Sequence, residues 1–383
     1  MNGIPIFARS TMPIVVGSVL IVLLIGCDNL TDVETGEQST FRLAEVISAN
    51  AGAFGEGTSS LTSIDPEEGT ASTTPSFSSS IQSHVVTDTQ LFVAFEEESA
   101  IGIFDLETKE EVGRIEDIEH PRHIITDGFR LYATSYNADA EPPNPEVVVV
   151  NVNERTVEER LELDLPPEGL TVIGSSLFIA TSGINEDGEQ ATQIPIFQRG
   201  TYSLEGAINP DCDGGRALFT SRQERLVLAC SGATIHNEEG EVVEETNGTL
   251  LTINPLTAVA EDVVDLPGQL TSAADRQRAF FDGFNQELYV TLEGNTVVRY
   301  ILPRSENGQD VPSETTQIPI DGPPIGALAY DPINDQLYLG RPDPDNPFAD
   351  PGTITVHDRE GAQLQSYDAG IAPAHLVLSA EEE

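Results

Sequence analysis

The sequence predicts an all-β protein in which one small antiparallel unit recurs along most of the chain. A short strand that begins with Leu and continues with aromatic or aliphatic residues occurs six times, at intervals of 40 to 62 residues. The six copies lie at residues 91–94, 131–134, 177–180, 226–229, 288–291 and 337–340. No segment after the first 27 residues keeps a helical period of apolar residues over three turns. Such repeats are typical of the blades of a β-propeller.

Each copy has a further strand on either side. An alternating apolar strand follows it, as at residues 147–151 and 353–358, and an apolar strand precedes it, as at 124–128 and 280–283. The Asp-Gly and Asp-Pro pairs between these strands favour tight turns, so the strands form hairpins. Units of this kind predict blades of four antiparallel strands.

The Leu-Tyr-Val-Thr strand at residues 288–291, followed by the Val-rich strand at 295–300, resembles the YVTN-repeat β-propeller family. The resemblance covers about residues 41–379, and it implies the propeller fold without fixing an activity.

The two ends of the chain predict a seventh blade. Residues 44–50 and 59–66 fit the second and third strands of a blade that lacks its innermost strand, while residues 373–379 fit an innermost strand with no blade after it. We therefore predict a seven-bladed propeller over residues 41–380, closed by strand exchange between the termini so that no sheet edge stays open. Eight blades are the alternative, because the 62-residue interval has room for further strands; otherwise residues 233–247 form an exposed loop.

Residues 1–26 are interpreted as a lipoprotein signal peptide. Arg9 is the only charged side chain before Cys27, and residues 13–25 are almost continuously apolar. The sequence Leu-Ile-Gly-Cys at 24–27 resembles the bacterial lipobox, and the resemblance implies cleavage before Cys27 and diacylation of this cysteine. An uncleaved anchor is the alternative, although the run is short for a spanning helix of about 20 residues.

Residues 27–40 then form a flexible polar tether. We expect the protein in the cell envelope, anchored by lipid on the periplasmic or outer side of a bacterial membrane.

The chain is extremely acidic, with 64 Asp and Glu against 18 Lys and Arg, a net charge of −46, and Lys109 as its only lysine. Nucleic acid is excluded as a partner, because no basic surface is available to displace counterions from phosphates. Near-absence of lysine with arginine retained is typical of proteins that extreme halophiles secrete. Such a charge repels itself until salt screens it. Calcium loading or a cationic partner is the alternative, but no Asp-x-Asp-x-Asp-Gly loop is present.

Cys212 and Cys230 flank a predicted hairpin that turns near residues 221–224. The turn brings its two ends together, and disulfides persist in exported proteins. We predict a disulfide between them that pins one blade, with two separate buried thiols as the alternative.

Three histidines mark the start of predicted innermost strands: His84, His123 and His375. The segments at 84–88 and 123–127 align residue for residue, and closure places the three histidines in successive blades around one funnel. Three neutral imidazoles with an open position would suit Zn or Cu. The alternative is an ordinary repeat position, because Gly169 and Gly326 occur near the same point in other copies.

No nucleophile, phosphate-binding or metalloprotease motif is present, so no catalytic residue is predicted. The sequence favours a lipid-anchored, monomeric, salt-adapted scaffold without a cofactor, which binds a protein, glycan or small ligand. The alternative is a metal-assisted hydrolase or lactonase-like enzyme at the central funnel, a class found among relatives of this repeat type.

Overall fold

The computed structural model describes residues 41–382, apart from 138–139, 141–142, 185–189, 237–240, 272–276, 278 and 307–308. The predicted signal peptide, Cys27 and the tether lie outside the described residues. The described residues form strands and turns, and among them no helix is long and apolar enough to cross a membrane.

The described strands build seven blades of four antiparallel strands each. The first three strands, β1 (Phe41–Asn50), β2 (Ser60–Asp65) and β3 (Thr70–Thr73), belong to blade 7. Blade 1 contains β4 (Ile81–Val86), β5 (Gln90–Phe95), β6 (Ala100–Asp105) and β7 (Glu111–Ile115). Blade 2 contains β8 (Pro121–Thr126), β9 (Arg130–Ser135), β10 (Glu146–Asn151) and β11 (Thr156–Glu162). Blade 3 contains β12 (Pro167–Ile173), β13 (Ser176–Ile184), β14 (Gln190–Gln198) and β15 (Leu204–Ile208).

Blade 4 contains β16 (Gly215–Thr220), β17 (Leu226–Cys230), β20 (Thr249–Asn254) and β21 (Val259–Asp265), with the separate hairpin β18 (Thr234–His236) and β19 (Val242–Glu245) inserted. Blade 5 contains β22 (Ala279–Asp282), β23 (Glu287–Leu292), β24 (Thr296–Ile301) and β27 (Glu314–Pro319), with the hairpin β25 (Arg304–Glu306) and β26 (Gln309–Val311) inserted. Blade 6 contains β28 (Ala327–Asp331), β29 (Gln336–Arg341), β30 (Pro351–Asp358) and β31 (Gln363–Ile371). The last strand, β32 (Pro373–Glu382), returns to complete blade 7.

The predicted seven-bladed fold and its closure are confirmed. β32 pairs antiparallel with β1 from Pro373 opposite Asn50 to Glu382 opposite Phe41, two residues beyond the predicted end at 380. The eight-blade alternative is wrong, because the long interval between the fourth and fifth copies holds the hairpin β18–β19 rather than another blade. For the same reason, residues 233–247 are not simply the exposed loop that we considered.

The core lies between neighbouring blades, where apolar residues of the two middle strands of each blade meet. Val148 and Val150 of blade 2, for example, pack in one cluster with Phe92 and Ile103 of blade 1. The buried Asn50 side chain donates hydrogen bonds to Ser60 and Thr62, and thereby joins two strands of blade 7.

The propeller has an upper and a lower face. The upper face is the end at which the innermost strands begin, and the lower face is the end at which they turn into the second strands. The lower-face turns contain the repeated aspartates predicted as turn formers. Asp127 accepts hydrogen bonds from the backbone of Phe129 and Arg130, and Asp331 accepts one from Ile333.

Candidate functional site: the upper mouth of the central channel

A cavity of about 150 Å³ lies at the upper face, where the innermost strands begin. Six of the seven blades contribute to its wall. Its polar side comprises Gln82, Ser83, Arg122, His123, Glu168, Arg216, Gln277 and His375, and its apolar side includes Pro167, Leu218, Phe219 and Ala279.

The innermost strands of blades 1 to 4 have irregular register at this point. The pairing with the second strand shifts between Ile81 and Ser83, Pro121 and Ile124, Pro167 and Leu170, and Gly215 and Ala217. A bulge leaves a residue outside the ladder and redirects its side chain, and bulges are enriched beside functional sites. The same bulge in four successive blades therefore shapes the cavity wall.

One register position supplies the polar ring of this cavity. Counted from the pairing of the first two strands, Gln82, Arg122, Glu168, Arg216 and Gln277 occupy the same position in blades 1 to 5. All five line the cavity. Blades 6 and 7 have Gly326 and Ala374 at this position, so the polar ring covers one side of the channel.

The charges of the polar ring do not cancel. Arg216 donates a hydrogen bond to the Glu168 carboxylate and forms an ion pair with it. The Arg122 guanidinium forms no ion pair or hydrogen bond with any residue that the structure describes, and it stacks over the Tyr136 ring at 5.8 Å. The Nε atoms of Arg122 and Arg216 are both enclosed and lack an acceptor. The ring thus presents one uncompensated cation in a strongly acidic chain.

The structure places the three predicted histidines in blades 7, 1 and 2, but it corrects their alignment. Register puts Ser83, not His84, at the position of His123 and His375, because His84 lies one residue closer to the turn. Side chains alternate along a strand. His84 is therefore buried against β1, whereas Ser83 faces the cavity together with the other two histidines.

Two of the histidines form a hydrogen-bonded pair. His84 Nε2 lies 3.1 Å from the carbonyl oxygen of Ile47, which can only accept, so Nε2 carries the proton of the neutral ring. The Nδ1 atoms of His84 and His375 are 3.1 Å apart, so His375 Nδ1 is the donor. The His123 ring centroid is 6.5 Å from that of His375.

Burial keeps these imidazoles neutral near pH 7. It lowers the pKa of His84 to about 4, against a smaller opposing effect of the Ile47 carbonyl, and it also lowers the pKa of His123 to about 4. The pKa of His375 falls well below its ordinary value because of burial and then of the neighbouring His84 and His123. The positive charge of the cavity at neutral pH therefore belongs to its arginines.

The metal site predicted at His84, His123 and His375 stays a prediction. Within the described ranges, no group of three or more His, Cys, Asp or Glu side chains is arranged to hold a metal ion. The hydrogen bonds of the pair already use His84 Nε2 and both Nδ1 atoms. The hydrolase alternative, which depends on that metal, stays a prediction as well.

Cys212 and Cys230 are joined by a disulfide, with their Cα atoms 6.2 Å apart. Cys230 ends β17 and pairs with Gly215, the residue before Arg216 in the polar ring. The bond thus fixes the upper end of blade 4 beside the cavity.

Sequence reasoning missed the polar ring. Its members differ in type and include both charges, so they do not read as a repeat. The signal that would have revealed them is their position. In each of blades 1 to 5, a buried residue of the innermost strand pairs with the third residue of the Leu-type strand, and the polar residue lies two positions before it. Arg122, for example, lies two residues before Ile124.

No profile of a known protein family matches the chain, and no curated protein matches it. Solved structures do match the chain. The chain is similar to Kuenenia stuttgartiensis hydrazine synthase, with a TM-score of 0.57 and 14% identity over 79% of this chain and 95% of that chain. It is similar as well to a chain in the crystal structure of a mitotic checkpoint complex, with a TM-score of 0.55 and 13% identity over 84% of this chain and 96% of that chain. At such identities the likeness concerns the fold alone.

Proposed function

We propose that this protein is a lipid-anchored, extracytoplasmic binding scaffold of a salt-adapted bacterium, which presents the cavity of its propeller away from the membrane. One observation carries the proposal: the cavity and the point where the chain enters the propeller lie on opposite faces. Phe41 begins β1 opposite Glu382, at the lower face, whereas the cavity-lining residues begin the innermost strands at the upper face.

The predicted tether fits this arrangement. Residues 27–40 span roughly 50 Å at full extension. An acylated Cys27 would keep the lower face within that distance of the bilayer and leave the upper face open to a soluble ligand or partner. The lower-face turns also expose apolar side chains: Leu256 is 94% exposed and Phe284 70% exposed.

Membrane fractionation of cells that express the full chain tests the anchor. We expect wild type in the membrane fraction, and Cys27→Ser either released or unprocessed. The double variant Cys212→Ser/Cys230→Ser is the matched control, because it removes cysteines but keeps Cys27, and it should stay with membranes. Retention of a fully processed Cys27→Ser protein in the membrane would overturn the proposal.

The orientation is tested separately with a fluorophore on a single introduced cysteine. Leu256→Cys marks the lower face, and Phe54→Cys marks the upper face, in the loop between β1 and β2. In vesicles that carry a quencher on the lipid headgroups, we expect the fluorescence of the label to be quenched more strongly at position 256 than at position 54. Equal quenching at both positions would contradict the proposed orientation.

A further inference from the structure

The polar ring of the upper cavity indicates which ligand chemistry the cavity suits. Arg122 is a guanidinium without an anionic partner among the described residues, in a chain with 46 more negative than positive charges. Its Nε is enclosed and unsatisfied, as is that of Arg216. The Arg122 side chain lines the cavity, and a cation in a partly enclosed site without a counter-charge is unfavourable, so the cavity favours a negatively charged ligand.

A carboxylate is the acceptor that a guanidinium fits best, because its two oxygens match the planar array of N–H donors. Glu168 already provides one carboxylate to Arg216, which leaves the polar ring with a single excess positive charge. The neighbouring histidines are neutral near pH 7 and add none. The cavity is therefore matched to one negative charge, and a second would face Glu168 without compensation.

The rest of the wall sets the size and polarity of the ligand body. Leu218, Phe219 and Pro167 line the cavity beside the arginines. The volume of about 150 Å³ is similar to that of cavities that accept benzene. A compact apolar group therefore fits next to the charged end, and a large polar headgroup or an oligosaccharide does not fit inside.

We propose that the upper cavity binds a small organic monocarboxylate, with its carboxylate held by Arg122 and Arg216 and its apolar body against Leu218 and Phe219. The inference rests on the proposed binding function and names its ligand class. It is independent of the anchor, so it is tested on the purified full chain in detergent.

Titration calorimetry with benzoate as the probe tests the inference. We expect saturable 1:1 binding, with the neutral isostere benzamide and the dianion phthalate each weaker by at least about tenfold. Equal affinity for benzoate and benzamide, or no benzoate binding at about 10 mM, would overturn the inference while leaving the membrane experiment unaffected.

Two arginine variants test whether benzoate binds in the upper cavity. Arg122→Gln should weaken benzoate binding by at least about tenfold, because it removes the uncompensated charge. Arg222→Gln is the matched control, since this arginine lies in the lower-face turn over the Phe284 ring, and its affinity should equal that of wild type. Unfolding temperatures confirm that both variants are folded.

The metal prediction provides the competing outcome. When Zn²⁺ is added to the protein under the same conditions, the affinity for benzoate should not change. Zn²⁺ binding that is lost in His375→Gln, combined with benzoate affinity unchanged in Arg122→Gln, would overturn the carboxylate site and favour the three histidines as metal ligands.

Discussion

His84 makes the stability of the propeller depend on pH in a way that can be measured. Its imidazole is 1% exposed, and burial lowers its pKa from the ordinary 6.5 to about 4. Between these two values the unfolded chain binds a proton that the folded protein excludes. The free energy of unfolding must therefore fall as pH falls through this window.

The size of the effect follows from the two pKa values. At pH 8 neither state holds the proton, and His84 contributes no pH dependence. At pH 5 the unfolded imidazole is protonated and the folded one is still mostly neutral, which lowers the free energy of unfolding by about 2 kcal/mol. Carboxylates titrate in the same range, so wild type alone does not isolate this contribution.

The variant His84→Gln removes it, because the amide still offers a donor toward the Ile47 carbonyl but does not titrate. His84 also lowers the pKa of His375, so the variant weakens that contribution in the same direction. In urea unfolding at about 2 M KCl, we expect the loss of stability between pH 8 and pH 5 to be about 2 kcal/mol smaller than in wild type. Ser83→Ala is the control on the same strand. It removes a hydrogen bond to the Arg122 carbonyl and should lower stability equally at both pH values.

A His84→Gln protein that loses as much stability as wild type between pH 8 and pH 5 would refute the reasoning. It would mean that the imidazole either keeps its ordinary pKa in the folded protein or is not enclosed between blades 7 and 1.

Three further predictions concern the fold. Deleting residues 373–383 removes the innermost strand of blade 7 and should abolish cooperative thermal unfolding, whereas deleting only 381–383 should be tolerated; an unchanged melting temperature after the larger deletion would contradict closure by β32. Glu287→Gln should lower the free energy of urea unfolding by about 3 kcal/mol, because the buried carboxylate pairs with Arg299 and Arg359 across blades 5 and 6. The control is Glu158→Gln, whose surface carboxylate pairs with Arg130 and should contribute about 1 kcal/mol or less; an equally small change for Glu287→Gln would argue against the network. The melting temperature should rise markedly between about 0.1 M and 2 M KCl as the negative surface is screened, and a flat profile would show that the charge serves something other than a saline solvent.

The sequence by itself determined the blade repeat and the closure, and it favoured seven blades over eight. Strands such as residues 288–291 alternate and recur, and the two ends of the chain show a blade that lacks one strand and a single spare strand. These features are local, because side-chain alternation and turn chemistry depend on neighbours within a few residues. The spacing of Cys212 and Cys230 across one hairpin is local in the same sense.

Only the tertiary structure decided which side chains share the cavity. The alignment of His84 with His123 looked exact in sequence, yet His84 pairs with Val93 and so lies one residue closer to the turn than His123, which puts its side chain on the other side of its strand. Gln82, Arg122 and Arg216 share no residue type or motif, and only the convergence of successive blades on one axis makes them neighbours. A shift of one residue reverses the direction of a side chain in a strand, and which strands meet at one axis depends on how the blades pack, not on residues that are neighbours in the sequence.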